Sequence, residues 1–316
     1  MNILVTGATG FIGAKLIDSL ASSGDYKIFA LVRSQNYKRS KENVDYLQGD
    51  LMRISDWQDA LKDKDVVVHL AGRAHIMNDR SGNPLEEFRK LNTAATIKLA
   101  NLSISYGVKR FIYLSTIKVL GEFTEGESVF SIDSKFNPTD PYAVSKYEAE
   151  VGLKELAENQ GLETVIIRPP LVYGAGVKGN FKRLLGIVKW PIPLPFGAVC
   201  NSRSMISVEN LTDLIKTCLL HPNAANSTFL VSDDHNLSTP DLISLIAKTG
   251  GYNIKFIKVP LILLKSLFFC TLKISLYDRL CKSMIVDCEH TKRELGWKPT
   301  HPIEDSIKDC WNDYYK

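Results

Sequence analysis

Tyr142 and Lys146 stand four residues apart in Thr139–Lys146, which reads TDPYAVSK. Pro141 suits the first turn of a helix, and on such a helix Tyr142 and Lys146 share one face. A phenol moves protons at neutral pH only if its pKa, ordinarily about 10, is brought down. An ammonium one turn away favours phenolate and should have that effect. Taken alone, Tyr-x-x-x-Lys is a common helix-surface spacing. It gains meaning from Ser115-Thr116, upstream at the end of an apolar run, where a hydroxyl could hydrogen-bond the same substrate oxygen. The candidate catalytic groups are therefore a hydroxyl of Ser115-Thr116 together with Tyr142 and Lys146, and their chemistry is proton transfer at an oxygen.

A second constellation opens the chain. Thr6-Gly7-Ala8-Thr9-Gly10-Phe11-Ile12-Gly13 follows a short apolar run and precedes a helical pattern. In that context Gly7 allows a tight turn, Gly10 lets backbone approach a pyrophosphate, and Gly13 lets helix and strand pack closely. The helix start adds free N–H groups and a positive dipole end. About 20 residues on, where an acidic residue would hold the ribose of NAD, the chain carries Arg33. A guanidinium there can pair with the 2′-phosphate of NADP, which tilts the expected cofactor from NAD towards NADP; a solvated arginine at a strand end is the alternative. Asp50, in Gly49-Asp50-Leu51, could accept from the adenine amino group. Leu70, Ala71 and Gly72 are small or apolar residues against which the cofactor could lie. Tyr142 and Lys146 belong to the expected cofactor contacts as well.

These residues need a frame. Asn2–Thr6, Lys27–Val32, Asp65–Leu70, Arg110–Ser115 and Thr164–Arg168 are short apolar runs, as strands buried on both faces should be. Amphipathic segments lie between them at Ala14–Ser22, Ser55–Lys62, Leu85–Ser105 and Pro141–Asn159. Alternation of this kind predicts an α/β fold with a doubly wound parallel sheet, a Rossmann domain over residues 1–170. After Arg168 the chain becomes rich in Gly and Pro, then mainly helical, with one more strand at Phe229–Ser232. A smaller, mainly helical and discontinuous lobe is expected over 171–316, with 207–232 returning to the sheet.

Composition narrows the setting. Of 316 residues, 45% are hydrophobic and 23% charged, with a net charge of +4, too small to argue for nucleic acid. The six cysteines all fall from Cys200 onward, form no CxxC pair and have no histidines at zinc-ligand spacing. No metal site is expected, and reduced thiols in a cytoplasmic protein are. Residues 259–277, VPLILLKSLFFCTLKISLY, approach the length of a membrane span but are interrupted by Lys265 and Lys273. Either a helix packed on protein or an interfacial helix with snorkelling lysines fits them, so peripheral membrane contact stays open.

The motifs resemble the extended short-chain dehydrogenase/reductases, in the nucleotide-sugar epimerase/dehydratase branch. The likeness covers nearly the whole chain: TGATGFIG, Asn92 in LNTAAT, STIKVLG, YAVSK, RPPLVYG and RSMISVENL. It implies catalysis by Thr116, Tyr142 and Lys146, and Asn92 as a kink or brace behind the site. It also implies Asn180 and Arg203 on the diphosphate of a UDP-linked nucleotide-sugar, and a homodimer built from the helices at 85–105 and 141–159. A helix N-cap is the competing reading of Asn180. Two positions depart from the family. Dehydratases carry Asp-Glu after the catalytic Thr where this chain has Ile117-Lys118, and a frequent Asn is replaced by Leu171. The expected activity is NAD(P)-dependent reduction at C4 of a UDP-4-keto-6-deoxy-N-acetylhexosamine for surface polysaccharide. A UDP-glucose or UDP-N-acetylglucosamine 4-epimerase and a non-catalytic NADP-binding sensor are the alternatives.

Overall fold

The computed structural model describes residues 1–34, 37, 40–53, 55–74 and 82–315. Seven strands form one parallel sheet: β1 (Asn2–Thr6), β2 (Lys27–Val32), β3 (Val44–Gln48), β4 (Val66–His69), β5 (Arg110–Leu114), β6 (Glu163–Arg168) and, after β7 (Leu171–Tyr173) and β8 (Met205–Ser207), β9 (Ser227–Leu230). The order is β3-β2-β1-β4-β5-β6-β9. β7 and β8 pair with each other in a separate two-stranded sheet.

The helices are α1 (Phe11–Ser23), α2 (Ser55–Leu61), α3 (Pro84–Phe88), α4 (Ala95–Ser105), α5 (Pro141–Gln160), α6 (Gly179–Ile187), α7 (Val208–Leu220), α8 (Thr239–Thr249), α9 (Leu261–Cys270), α10 (Ile274–Cys281), α11 (Glu289–Leu295) and α12 (Ile303–Tyr314). Alternate residues of each strand enter opposite cores, as the two-residue period requires. Ile3 and Val5 pack with Leu16, Ile17, Leu211 and Ile215 of α1 and α7. Leu4, Val67 and Phe111 pack with Trp57, Leu99 and Leu153 of α2, α4 and α5. A separate apolar core gathers Phe181, Leu185, Ile243, Ile246, Ile307 and Trp311 in the helical region.

β1 has β2 on one side and β4 on the other, so the chain reverses direction across the sheet at this point. Open α/β sheets place their ligand crevice there, beyond the carboxyl ends of the strands. His69 at the end of β4 is fully buried and bridges Thr6 Oγ1 (2.7 Å) to Thr96 Oγ1 (2.9 Å). Burial brings its pKa down to about 3, with the charge of Lys146 as a lesser cause, so it is a neutral tie between strand tips rather than an acid.

The expected helix over 85–105 is instead α3, a π-turn at Arg89–Ala94, and α4. The segment 259–277 is likewise broken: α9 ends where Leu272 takes a positive φ of 55°, and α10 restarts at Ile274. No described helix is long and apolar enough to cross a membrane.

Candidate active site

The glycine loop is closed on itself, with Gly10 N–H donating to Gly7 O at 2.9 Å. Gly7 has φ +69°, and a Cβ on it would stand 2.7 Å from Ala71 N. A Cβ on Gly13 would stand 2.2 Å from Gly7 O. No side chain caps α1 at Gly10, so the helix start offers backbone N–H groups to an anion. This cradle, with Phe11 and Ile12 half-buried at its rim, fits the pyrophosphate of a dinucleotide and has no room for side chains at Gly7 and Gly13. Arg33 is exposed directly after β2. Asp50 closes its own turn, accepting from Met52 N–H at 2.9 Å, and Leu51 is half-buried beside it. Past the end of β4, Leu70 is half-buried and Ala71 N–H reaches Thr6 Oγ1 at 3.3 Å. Gly72 joins the two constellations, because a Cβ there would meet Lys146 Nζ at 3.4 Å and Asn92 Oδ1 at 3.2 Å.

Helix α5 starts where sequence predicts it. Asp140 is its N-cap, accepting from Ala143 N–H at 2.7 Å, and Pro141 follows. Lys146 is buried; its Nζ donates to Leu114 O at 2.8 Å and lies 4.4 Å above the Tyr113 ring. Burial brings its pKa down to about 7, opposed by Glu150. Tyr142 rests edge-on against Phe88, and Thr116 is close enough to act on its phenol.

The phenol's pKa, however, moves upward from its ordinary value. Burial is the main cause and the Asp140 carboxylate the second, while the Thr116 hydrogen bond only softens the rise. The expectation that Lys146 lowers it is not met. The amine is engaged with Leu114 O beneath the helix, and burial itself disfavours its charge.

Of the two strand-end hydroxyls, only Thr116 faces the phenol. Ser115 Oγ donates to the buried carboxylate of Glu150, which pairs with buried Arg168 at 2.6 Å. Asn92 is the brace that the family resemblance implied. Its Oδ1 accepts from Arg73 N–H at 2.7 Å, and its Nδ2 donates to Arg73 O and to Ser145 Oγ on α5. The π-turn that carries Asn92 is a form often found at functional sites.

Lys146 also fixes a pH dependence of stability. Its pKa in the folded chain lies below the ordinary lysine value of 10.5. Below about pH 7 both folded and unfolded chains hold the proton, and the cost of the buried ammonium is borne in full. Between pH 7 and 10.5 the unfolded chain binds more protons than the folded one, so that cost fades as pH rises. Lys146→Met should therefore melt higher than the parent at pH 6, with the gap shrinking towards pH 10. Thermal melts of both proteins across that range check this, and a gap independent of pH would contradict it.

A family model described as the NAD-dependent epimerase/dehydratase family matches residues 3–231. The chain belongs to that family. A UDP-glucose 4-epimerase of Vibrio cholerae is 42% identical over 308 residues, covering 97% of this chain and 93% of that protein. A UDP-glucuronic acid 4-epimerase from Bacillus cereus, solved with NAD, superposes with a TM-score of 0.80 at 21% identity, covering 100% and 99% of the two chains. A UDP-glucose 4-epimerase from Thermotoga maritima, solved with UDP-glucose, gives 0.79 at 21% identity, again over 100% and 99%. At such identities these structures establish the fold.

Family membership directs attention to the two expected diphosphate residues, Asn180 and Arg203, and to neighbours outside the expected set. Asn180 is the second residue of α6 and half-buried; Lys178 precedes the helix, so the N-cap reading fails. Arg203 is held by Lys282 O at 3.0 Å and by backbone bridges to Leu237 and Met284. Its pKa is brought down to about 10 by burial and by the neighbouring charge of Arg279, with Glu122 opposing. Arg279 was not anticipated, because nothing local in the sequence joins it to a residue so far upstream. Two neighbouring guanidiniums, Arg203 half-buried and Arg279 exposed, suit an anion with more than one charge. Lys118 was noted only as a departure; its Nζ contacts Glu122 (2.6 Å) and Asp140. Beside this network lies a cavity of about 540 Å³ lined by Gly121, Glu122, Phe123, Thr139, Lys282 and Ser283.

Proposed function

We propose that the chain inverts the configuration at C4 of a UDP-hexose or UDP-N-acetylhexosamine without net oxidation. The observation that carries this reading is the convergence of Thr116, Tyr142 and buried Lys146, with Thr116 close enough to act on the phenol and Lys146 joined to the glycine-loop side through Gly72. The extended similarity to the Vibrio cholerae UDP-glucose 4-epimerase supports epimerisation in particular. NAD, held by Gly7, Gly10, Phe11, Ile12, Gly13 and the tips of β2, β3 and β4, supplies a reversible hydride acceptor at C4. Tyr142 moves the proton on O4, Thr116 orients that oxygen, and Lys146 tunes the phenol once substrate closes the site. Arg203, Arg279 and Asn180 hold the diphosphate. Lys118, bound to Glu122 and Asp140, occupies a place where dehydratases carry a free carboxylate, which speaks against elimination of water.

Net reduction of a UDP-4-keto sugar is the second reading, favoured by Arg33, whose exposed guanidinium at the end of β2 suits the 2′-phosphate of NADP. One experiment separates the two. Purified chain is incubated with UDP-glucose or UDP-N-acetylglucosamine, and in parallel with UDP-4-keto-6-deoxy-N-acetylglucosamine plus NADPH or NADH. Appearance of the C4 epimer with absorbance at 340 nm unchanged is the expected result. Stoichiometric oxidation of NADPH on the keto-sugar, with no epimer formed, would replace epimerisation by reduction.

A further inference from the structure

Helix α9 is apolar on every side, and Leu264 is its buried residue. Leu264, 1% exposed, fixes the helix to the core of the helical region together with half-buried Val259 and Phe268. Around that anchor Ile262 is 79% exposed, Leu263 61%, Leu267 58%, Phe269 69%, and Leu272 in the following turn 93%. Ile257 extends the surface before the helix and Ile274 after it. Backbone hydrogen bonds from Leu194 N–H to Lys255 O and from Ile257 N–H to Leu194 O bring up a second stretch, which bears exposed Trp190 and Ile192. Contiguous apolar exposure on this scale marks an interaction site rather than ordinary surface.

The two segments that bear it carry charges of one sign, and the carboxylate nearest to α9 in sequence, Asp278 on α10, is paired with Lys282. From Leu242 to Tyr277 there are five lysines, Lys248, Lys255, Lys258, Lys265 and Lys273, and no aspartate or glutamate. Between Glu163 and Glu209 there is again no acidic residue, while Lys178, Lys182, Arg183 and Lys189 lie there. A two-fold interface between copies sets a patch against itself. Such a contact would bring lysine against lysine with no carboxylate from either segment to compensate.

We propose that α9 and its flanks dock on a lipid bilayer whose surface carries anionic headgroups. The apolar side chains enter the boundary between headgroups and acyl chains, with Trp190 suited to the same depth. Lys258, Lys265 and Lys273 extend their stems along them and reach the negative surface. The ten residues of α9 are too few to span, so the attachment is peripheral.

The test is co-sedimentation of the full chain with vesicles of phosphatidylglycerol and phosphatidylethanolamine, and separately with vesicles of phosphatidylcholine alone. Binding to the first, weakened by added salt, and little binding to the second is expected. Lys265→Glu and Lys273→Glu should each lower the partition at least about fivefold. Leu263→Glu and Phe269→Glu should abolish it, with thermal midpoint unchanged because these side chains are exposed. Failure to sediment with anionic vesicles, or equal sedimentation with phosphatidylcholine, overturns the proposal. So does dissociation of a lipid-free dimer by Leu263→Glu, which would assign the face to a second copy.

Discussion

Tyr142→Phe should lower turnover about 10² to 10⁴-fold while leaving the thermal midpoint and dinucleotide affinity close to those of the parent. The substitution keeps the ring and its edge contact with Phe88 and removes one hydroxyl. The helix start does not depend on that hydroxyl, since Asp140 and Pro141 set it. Nor does the glycine loop, whose shape comes from backbone contacts among Gly7, Gly10, Gly13 and Ala71. What disappears is the phenol hydroxyl beside Thr116, which is the proton carrier in the proposed reaction. Turnover assays, titration of NAD binding and thermal melts on the same preparation check the three parts together. Turnover within threefold of the parent would remove Tyr142 from the chemistry. A fall in dinucleotide affinity equal to the fall in turnover would make it a binding residue.

The inner strands were legible because they are buried on both faces and leave apolar runs such as Asn2–Thr6 and Arg110–Leu114, whereas edge strand β3 is only partly buried. The start of α5 was legible because an Asp-Pro pair is a local signal that needs no distant partner. The π-turn at Arg89–Ala94 was not, because Asn92 answers to Arg73 and Ser145, residues far off in sequence. Spacing put Lys146 on the face of Tyr142 but could not say where its amine points. The amine points towards Leu114 O, and burial of the phenol, with Asp140 second, moves its pKa up rather than down. β7 and β8 escaped notice for a related reason. They are three residues long, and each depends on the other, across more than thirty residues of loop and helix, for its hydrogen bonds. Arg279 belongs to the same class, being meaningful only once α10 is folded beside Arg203.

Arg168→Ala should cost about 3 to 5 kcal/mol of folding stability, the largest loss expected from a single change outside the glycine loop. Arg168 and Glu150 are 2% and 1% exposed, and the guanidinium meets the carboxylate through Nε and Nη2. Removing the cation leaves a buried carboxylate with Ser115 Oγ as its remaining side-chain partner. Such a group must either take up a proton or draw in water, and both are unfavourable there. The damage should reach catalysis, because Ser115 precedes Thr116 and Glu150 is the group that favours the charged form of Lys146. The double change Glu150→Leu with Arg168→Met removes both charges and should recover much of the midpoint, since an apolar pair of similar size often replaces a buried ion pair at little cost. It should not recover turnover, because Ser115 then loses its acceptor and Lys146 its counter-charge. Denaturant melts of the parent, the single variant and the double variant, each paired with an activity assay, separate the two effects. A single variant as stable as the parent would mean that water already satisfies Glu150, and the pair would then be neither a fold determinant nor a support for the site.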